Sequence, residues 1–359
     1  MFSLLRGIER FTIELARALA KQGVKVHIIT WKNSRDWPWG TVPANIVLHA
    51  LPLPRYFAAF WAGISYPFIL QKIKPDILNL NYTWHGEEIA VNFFSKYLAT
   101  NLILHSPAEL ISNRYLRIQK SQIDKKIKQV VAVSNYVAQG AKKYIGSLPI
   151  VIPNGVDTNI FRPSQCKNES RQRLKISIEA PVLVSVAALE ERKGIHKVLT
   201  ALVPVVREFP NLIYCVAGDG VEKNKLTMLA KELGLSQNTR FLGPVQDTLL
   251  VYHAADLFLF LSRGEAFGIA LAEAMSCGLP IVAANCPPFD EVANPDGTSF
   301  VDDQNPQQIS ETILSLLREP VRREQMGKEN RRYAEDHYDW DKIAAQYLQL
   351  FVSELADLR

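Results

Sequence analysis

The sequence predicts an α/β protein with two doubly wound, Rossmann-like domains that face a cleft. Three observations support this prediction: the length of 359 residues, the alternation of apolar β-rich runs with amphipathic stretches, and the recurrence of that alternation in both halves. A chain of this length can bury two cores, and strands that alternate with helices favour parallel sheets. We place the first domain at residues 1–162, the second at 163–337 and a closing helical segment at 338–359.

The first half begins with an amphipathic helix, predicted over residues 8–21, in which apolar side chains recur at helical spacing until Gly23 ends the pattern. Short apolar runs after it predict strands at residues 24–30, 46–50, 77–80, 102–105, 130–133 and 150–152. Only residues 1–6 precede the helix, although a doubly wound sheet has its first strand in the middle. We therefore expect this strand to be missing: either the true start lies upstream, or the domain is truncated.

The second half repeats this rhythm. Apolar runs predict strands at residues 182–187, 212–217, 240–242, 256–261 and 281–284. A helix is predicted at 267–276, between a small-residue loop and a Gly-Leu-Pro stop, and a tail helix at 339–355. Ligands are expected at the carboxyl ends of the strands.

Two carboxylates stand at the mouth of the strand, loop, helix and strand unit near residue 265. Glu265 lies on the predicted loop and Glu273 two turns into the predicted helix, so they can contact different ends of one extended ligand. The helix start between them offers backbone N–H groups and the positive end of a dipole, which suit a phosphate. This arrangement predicts a pocket for a nucleotide-linked sugar, although a solvated acidic pair would look the same by spacing alone.

Composition and charge narrow the class of protein. Hydrophobic content of 48% and charged content of 21% are ordinary for a soluble globular chain. The four cysteines show no C-x-x-C spacing, no signal peptide opens the chain, and the apolar stretch at 56–70 is shorter than the about 20 residues that a membrane span needs. We expect reduced thiols and a cytoplasmic location.

The first 162 residues are basic, with 20 Lys and Arg against 9 Asp and Glu, whereas the remainder has 21 against 27. Several of these charges crowd one segment: Arg114, Arg117, Lys120, Lys125, Lys126 and Lys128, with Lys142 and Lys143 nearby. The segment can be a solvated helical face, or it can attract an anionic membrane or acceptor, since each basic residue near such a surface contributes about 1 kcal/mol. No recognition motif for nucleic acid accompanies it.

The run from Phe260 to Ala284, F-L-S-R-G-E-A-F-G-I-A-L-A-E-A-M-S-C-G-L-P-I-V-A-A, resembles the donor-site signature of retaining glycosyltransferases with the GT-B fold, specifically glycosyltransferase family 4. Further matches follow the family's order: Gly7-Ile8-Glu9-Arg10, Ala132-Val133-Ser134, Asn154-Gly155-Val156-Asp157, Arg192-Lys193-Gly194, Ala217-Gly218-Asp219-Gly220, Phe241-Leu242-Gly243 and Gly297. The resemblance covers nearly the full chain and is strongest from about Val130 onward.

The resemblance implies that a sugar moves from a nucleotide-diphosphate sugar, of UDP or GDP, to an unknown sugar or lipid-linked acceptor, without a metal or other cofactor. Lys193 would stabilise the leaving diphosphate, Glu265 would hold sugar hydroxyls, and His105 would face the transferred sugar as a catalytic residue. Glu273 would accept from the ribose hydroxyls. The other donor-binding residues implied are Gly7, Arg192, Val245, Ala266, Phe267, Gly268 and Ile269. Lys193, Glu265 and His105 can also be structural.

Three positions depart from the family's pattern. Ala188 replaces an arginine that clamps phosphate beside the lysine, Arg6 replaces a loop glycine, and Ala266 replaces the glycine of E-G-F-G. Arg192, adjacent to Lys193, can substitute for the missing charge only if it faces the same way. Two functions from different classes follow: a retaining glycosyltransferase in polysaccharide or glycolipid assembly, or a catalytically weak or silent relative that binds or partners. An epimerase of the same fold is less favoured.

Overall fold

The computed structural model describes residues 7–30, 42–50, 65, 68–81, 99–105 and 127–356. The chain divides into two compact units. The C-terminal unit contains Val156–Asp339, and the N-terminal unit contains Leu5–Gly155 together with Trp340–Arg359. The paired strands of the described sheets run parallel, which confirms the predicted α/β class with parallel sheets.

The described elements of the N-terminal unit follow the predicted order. They include α1 (Gly7–Lys21), β1 (Val26–Thr30), β2 (Ile46–Ala50), β3 (Ile77–Asn81), β4 (Ala99–Leu104), β5 (Gln129–Ala132), α2 (Asn135–Ile145) and β6 (Ile150–Val151). The apolar stripe of α1 is buried, including Phe11, Leu15 and Leu19, as its helical spacing predicted. Helix α2 begins after Ser134, whose hydroxyl accepts from the N–H of Val137 at 3.3 Å.

The strands of this unit form two separate sheets, β1-β2 and β3-β4-β5-β6. In a doubly wound order the first strand lies between the strands here called β1 and β3. No strand among the described residues pairs with those two edges, and the residues of β1 are half-buried whereas those of β4 are all buried. Residues 1–6, on which the prediction of a missing first strand rests, lie outside the described residues.

The C-terminal unit contains one six-stranded sheet. Its strands are β7 (Val182–Val186), β8 (Ile213–Ala217), β9 (Thr239–Gly243), β10 (Leu257–Phe260), β11 (Ile281–Ala284) and β12 (Thr298–Val301). Its helices include α3 (Lys167–Arg173), α4 (Ile195–Glu208), α5 (Lys223–Glu232), α6 (Thr248–Ala254), α7 (Ile269–Ser276), α8 (Phe289–Val292), α9 (Pro306–Arg318) and α10 (Pro320–His337). The spatial order β12-β11-β10-β7-β8-β9 is that of a Rossmann-like sheet, in which the chain reverses direction between β7 and β10.

Two boundaries in this unit differ from the predicted ones at residues with special features. Asp256, predicted as the first residue of a strand, directly precedes β10, and its carboxylate accepts from Arg171 at 2.6 Å and from the N–H of Val182 at 2.7 Å. Helix α7 begins at Ile269 instead of residue 267, because Gly268 has a φ of 92°, which a helix does not accommodate.

The tail helix α11 (Trp340–Ala356) belongs to the N-terminal unit. Its apolar side chains Trp340, Ile343, Ala344, Tyr347 and Phe351 join one buried cluster with Phe11, Leu15, Ala18, Leu19, Ile103, Val131 and Ile152. A buried hydrogen bond from Asn101 to Glu354, 3.0 Å long, adds a polar contact between β4 and the helix. Burial of this apolar face against α1 and β4 therefore stabilises the packing of the tail helix within the N-terminal unit.

Candidate active site

The carboxyl ends of β7 and β10 lie side by side at the reversal point of the C-terminal sheet. Lys193 ends a short 3₁₀ turn, Glu191–Lys193, that follows β7, and Glu265 lies in the loop after β10. The backbone N–H of Arg263 donates to the carbonyl of Arg192 at 2.8 Å and joins the two loops. Open parallel sheets bind their ligands at this kind of position.

Lys193 and Glu265 form an ion pair in which Nζ of the lysine contacts Oε1 of the glutamate. Their side chains are only 12% and 15% exposed, so the pair is largely shielded from water. Oε1 also accepts from the hydroxyl of Ser262 at 2.7 Å. Seventy-two positions separate the lysine from the glutamate in sequence, and only the sheet order brings them together.

Arg192 lies beside this pair. Its Nη1 atom is 3.6 Å from Oε1 of Glu265, and its Nε donates to Glu190 at 2.7 Å. The arginine is half-exposed, at 41%, whereas Lys193 is largely buried. Lys193 and Arg192 thus face the same carboxylate from neighbouring positions of one turn, as the sequence left open. Ala188, where the family has its arginine, is exposed.

The charge state of Glu265 follows from these contacts. Burial by itself raises the pKa of Glu265, but the charge and hydrogen bond of Lys193, the Ser262 hydroxyl and the charge of Arg192 outweigh it. The net effect holds the pKa of this carboxyl below its ordinary value, so it is ionised at neutral pH. The site therefore presents an anionic acceptor of hydrogen bonds next to two cations.

The start of α7 faces the same edge of the sheet. Gly268 precedes the helix, with Phe267 buried against the ring of Tyr338 at 5.1 Å between centroids. The first N–H groups of a helix have no partner within the helix itself and carry the positive end of its dipole. A phosphate next to Ile269 and Ala270 would accept hydrogen bonds from these N–H groups.

Glu273 lies one turn further along α7 and is 2% exposed. Its Oε2 accepts a hydrogen bond of 2.7 Å from the hydroxyl of Tyr252, which is fully buried in α6. The sequence analysis named Glu273 but not Tyr252, because a tyrosine within an apolar run carries no visible sign of a polar partner 21 positions away.

A second charged cluster, also missed from the sequence, lies beside the Arg192 loop. Asp303 follows β12, is 4% exposed, and pairs with both Lys197 of α4 and Arg263. The Nε atom of Arg263 donates to Asp303 at 2.8 Å. Burial alone raises the pKa of Asp303, but hydrogen bonds from Arg263 and Lys197 lower it overall. The cluster anchors the loop that carries Glu265.

His105, predicted as the last residue of a strand at 102–105, directly follows β4 in the N-terminal unit. Its Nε2 lies 3.4 Å from Oδ1 of Asn81, and its ring meets that of Phe11 edge to face, with centroids 4.4 Å apart. The ring keeps partial exposure, yet the surrounding protein desolvates it, and burial lowers the pKa of His105 to about 3. The imidazole is therefore neutral at pH 7 and can exchange hydrogen bonds with a sugar, but it carries no charge.

The free energy of unfolding is expected to fall by about 2 kcal/mol between pH 7 and pH 5 through His105. The pKa of this group is about 3 when folded and returns to an ordinary 6.5 on unfolding. Between these two pKa values the unfolded chain binds a proton that the folded chain does not. The contribution of His105 to stability is therefore fully present above pH 6.5 and is lost as the pH falls.

Urea unfolding of His105→Gln at both pH values checks this expectation, since the variant should lose about 2 kcal/mol less than the wild type. His337→Gln, at an exposed position of α10, is the control and should keep the wild-type pH dependence. Identical pH dependence of His105→Gln and the wild type would contradict the assignment.

The remaining predicted positions are dispersed. Gly7, which directly precedes the predicted helix, is the exposed first residue of α1. Val245 is half-buried in the segment between β9 and α6. Ala266 and Phe267 precede α7. Arg6 and most of the basic segment, residues 106–126, lie outside the described residues, while Lys142 and Lys143 end α2.

No helix in the described part of the chain has the length and apolar character that crossing a membrane requires. No three His, Cys, Asp or Glu side chains there are grouped so that they could hold a metal ion. The absence of a metal from the reaction stays a prediction.

Two family models match the chain. The model described as Glycosyl transferases group 1 matches residues 167–333, and the model described as Glycosyltransferase Family 4 matches residues 5–160. The first match contains the site around Lys193 and Glu265, and the second contains His105. The two matches do not overlap, and together they take in most of both halves.

Among curated relatives, a GDP-mannose-dependent monoacylated alpha-(1-6)-phosphatidylinositol monomannoside mannosyltransferase of Corynebacterium glutamicum is 29% identical over 235 residues. That match covers 62% of this chain and 61% of the relative, so the aligned part spans less than two thirds of that protein. A D-inositol 3-phosphate glycosyltransferase of Segniliparus rotundus is 26% identical, over 94% of this chain and 82% of the relative.

Solved structures share the fold. The Anabaena protein HepE, crystallised with UDP and glucose, superposes with a TM-score of 0.81 at 20% identity, over 97% of this chain and 96% of that one. Sucrose-phosphate synthase of Thermosynechococcus elongatus superposes with a TM-score of 0.82 at 20% identity, over 98% of this chain and 94% of that one. These similarities confirm the predicted fold of two Rossmann-like domains.

Proposed function

The chain belongs to glycosyltransferase family 4, and we propose that it transfers a sugar, with retention of configuration, from a nucleotide-diphosphate sugar to an acceptor. The observation that carries this proposal is the meeting of Lys193, Arg192 and Glu265 at the reversal point of the C-terminal sheet, next to the start of α7. Cations beside a helix start suit a diphosphate, and an ionised carboxylate suits sugar hydroxyls.

The proposed reaction breaks the bond between the anomeric carbon of the sugar and an oxygen of the diphosphate. Negative charge grows on the leaving diphosphate, and Lys193, Arg192 and the N–H groups at the start of α7 stabilise it there. Preorganised groups of this kind contribute several kcal/mol to the transition state. Glu265 holds the hydroxyls of the transferred sugar, and Glu273 accepts from the ribose.

Donor binding would exchange partners at the ion pair. Before the donor binds, Lys193 and Glu265 neutralise each other in a largely buried position. A bound donor would give the lysine a phosphate and the carboxylate a set of sugar hydroxyls, so neither group would lose its partner. The low exposure of the pair requires that new partners replace the old ones, because a buried charge without a partner is costly.

Ala188 is the observation that favours the alternative, a catalytically silent relative. The position of Arg192 argues against it, since this guanidinium lies 3.6 Å from the carboxylate that Lys193 binds. We propose that Arg192 supplies the second charge. The role proposed for His105, to orient the sugar through its neutral imidazole, comes from the resemblance alone.

The donor base is proposed to be uracil or guanine, since a relative is named as GDP-mannose-dependent and the HepE structure contains UDP. The acceptor is proposed to be anionic or lipid-linked. Two relatives are named for inositol phosphate or phosphatidylinositol acceptors, and the first 162 residues of this chain are basic. A lipid-linked acceptor would place the protein at the inner face of a membrane, in glycolipid or polysaccharide assembly.

A screen of the purified chain against UDP-, GDP- and ADP-sugars tests the proposal. We expect one nucleotide class to raise the melting temperature and to release its diphosphate slowly, with the anomeric configuration kept in any product. Cooperative melting without stabilisation by any donor would overturn the proposal and favour the silent relative. An isomerised nucleotide sugar as the product would identify an epimerase instead.

A further inference from the structure

We propose that Tyr252 is a positioning residue, whose hydroxyl holds the Glu273 carboxylate in the direction from which it binds the ribose of the donor. This inference rests on the proposed function, because it takes Glu273 as the ribose-binding group. Nothing in the sequence pattern assigns a role to Tyr252, which lies in α6, outside the segment that resembles the donor site.

The hydrogen bond is short and buried. The Tyr252 hydroxyl lies 2.7 Å from Oε2 of Glu273 and 3.3 Å from the carbonyl of Ala270. A hydroxyl has one proton to donate, and the shorter contact, to a carboxylate, takes it. The tyrosine and the glutamate are 0% and 2% exposed, so water does not compete for this bond.

The ring that carries the hydroxyl is itself fixed. Phe161 meets it edge to face with centroids 6.0 Å apart, and Phe258 of β10 packs against it at 5.7 Å. The ring is therefore packed by Phe258 of the sheet, by Phe161 and by its own helix α6, all of which lie outside α7. Glu273 thus receives a constraint from outside its own helix.

Such a constraint matters because a glutamate side chain has three rotatable bonds, and α7 fixes none of them completely. Fixing one oxygen sets the plane of the carboxylate and hence the direction in which the group accepts further hydrogen bonds. Binding groups need this second layer of support to hold their geometry. A purely structural role, in which the bond only satisfies a buried hydroxyl, is the competing explanation.

The variant Tyr252→Phe distinguishes the positioning role from a purely structural role, because phenylalanine fills the same space and removes only the hydroxyl. Tyr214→Phe is the matched control: Tyr214 is also fully buried in this unit, and its hydroxyl bonds Ser185 at 2.9 Å, without contact to Glu273. Both variants lose one buried hydrogen bond, so both are expected to lose stability. The readout is calorimetric binding of UDP and GDP, each compared with its 2′-deoxy and 3′-deoxy analogues.

The wild type is expected to bind the ribonucleotide of the preferred base about tenfold more tightly than at least one deoxy analogue. Tyr252→Phe should reduce this ratio to under about threefold, because the carboxylate no longer faces the ribose. Tyr214→Phe should keep the wild-type ratio. An unchanged ratio in Tyr252→Phe, with retained binding, would overturn the inference and leave the proposed function standing.

A second set of variants tests whether the tyrosine acts through the carboxylate. Glu273→Gln alone should reduce the ratio, and Tyr252→Phe added to it should reduce it no further, since the tyrosine acts through the carboxylate. A wild-type ratio in Glu273→Gln would overturn the inference. Absence of binding of either nucleotide to the wild type would overturn the proposed function and this inference together.

Discussion

Replacing Lys193 by alanine is expected to lower kcat/KM for the nucleotide sugar by about 10²- to 10³-fold, the usual effect of removing one preorganised group from a developing anion. Lys193 is the least exposed cation at the site and lies against Glu265. The charge and hydrogen bond of Lys193 lower the pKa of Glu265, whereas burial raises it. Without the lysine this pKa therefore rises towards or above its ordinary value. Steady-state release of the nucleotide diphosphate measures the change.

Lys225→Ala provides the control for loss of one positive charge. Lys225 lies in α5, is 68% exposed and pairs with Glu222, so its removal should leave kcat/KM within about twofold of the wild type. Lys193→Arg should retain part of the activity, because it keeps the charge with a different geometry. Wild-type turnover in Lys193→Ala would remove the lysine from the mechanism.

Replacing Gly218 by alanine is expected to lower the free energy of unfolding of the C-terminal unit by about 4 kcal/mol or more. Gly218 has a φ of 141°, and an added Cβ would lie 1.8 Å from the carbonyl oxygen of Ala187. This oxygen belongs to the backbone directly after β7, and Gly218 directly follows β8, so no flexible side chain can move aside. The displaced segment leads to Lys193, and donor binding should weaken together with stability.

Gly234→Ala is the matched variant, because Gly234 also has a positive φ, 74°, but an added Cβ there meets nothing within 4 Å. It should cost about 1–2 kcal/mol, the price of the backbone conformation alone. Urea unfolding of both variants measures the difference. Equal losses in the two would show that crowding at Ala187 contributes nothing.

The sequence predicted the place of every described strand except β12, and of the helices α1, α7 and α11, but it gave no bounds for the other helices. Periodicity reports which faces are apolar, and this property is local to each element. Boundaries depend on backbone angles that periodicity does not report. The positive φ of Gly268, for example, delays the start of α7 to Ile269.

The candidate site was predicted in part. Lys193, Glu265 and Glu273 were named from the motifs that carry them, and the structure shows the first two in contact. Tyr252 and Asp303 were not named, because each acts through a partner from another element. Glu273 lies 21 positions from Tyr252, and Arg263 and Lys197 lie 40 and 106 positions from Asp303.

By itself the sequence determined the α/β class and the family, and it named the residues proposed for the chemistry, since these depend on local patterns of apolar, small and charged residues. Only the tertiary structure decided that Lys193 and Arg192 share one carboxylate, that Glu265 is ionised and His105 neutral, and that the hydroxyl of Tyr252 donates to Glu273. The physical reason is that hydrogen bonds, desolvation and pKa depend on distances between atoms that the sheet order sets, and no local pattern contains those distances.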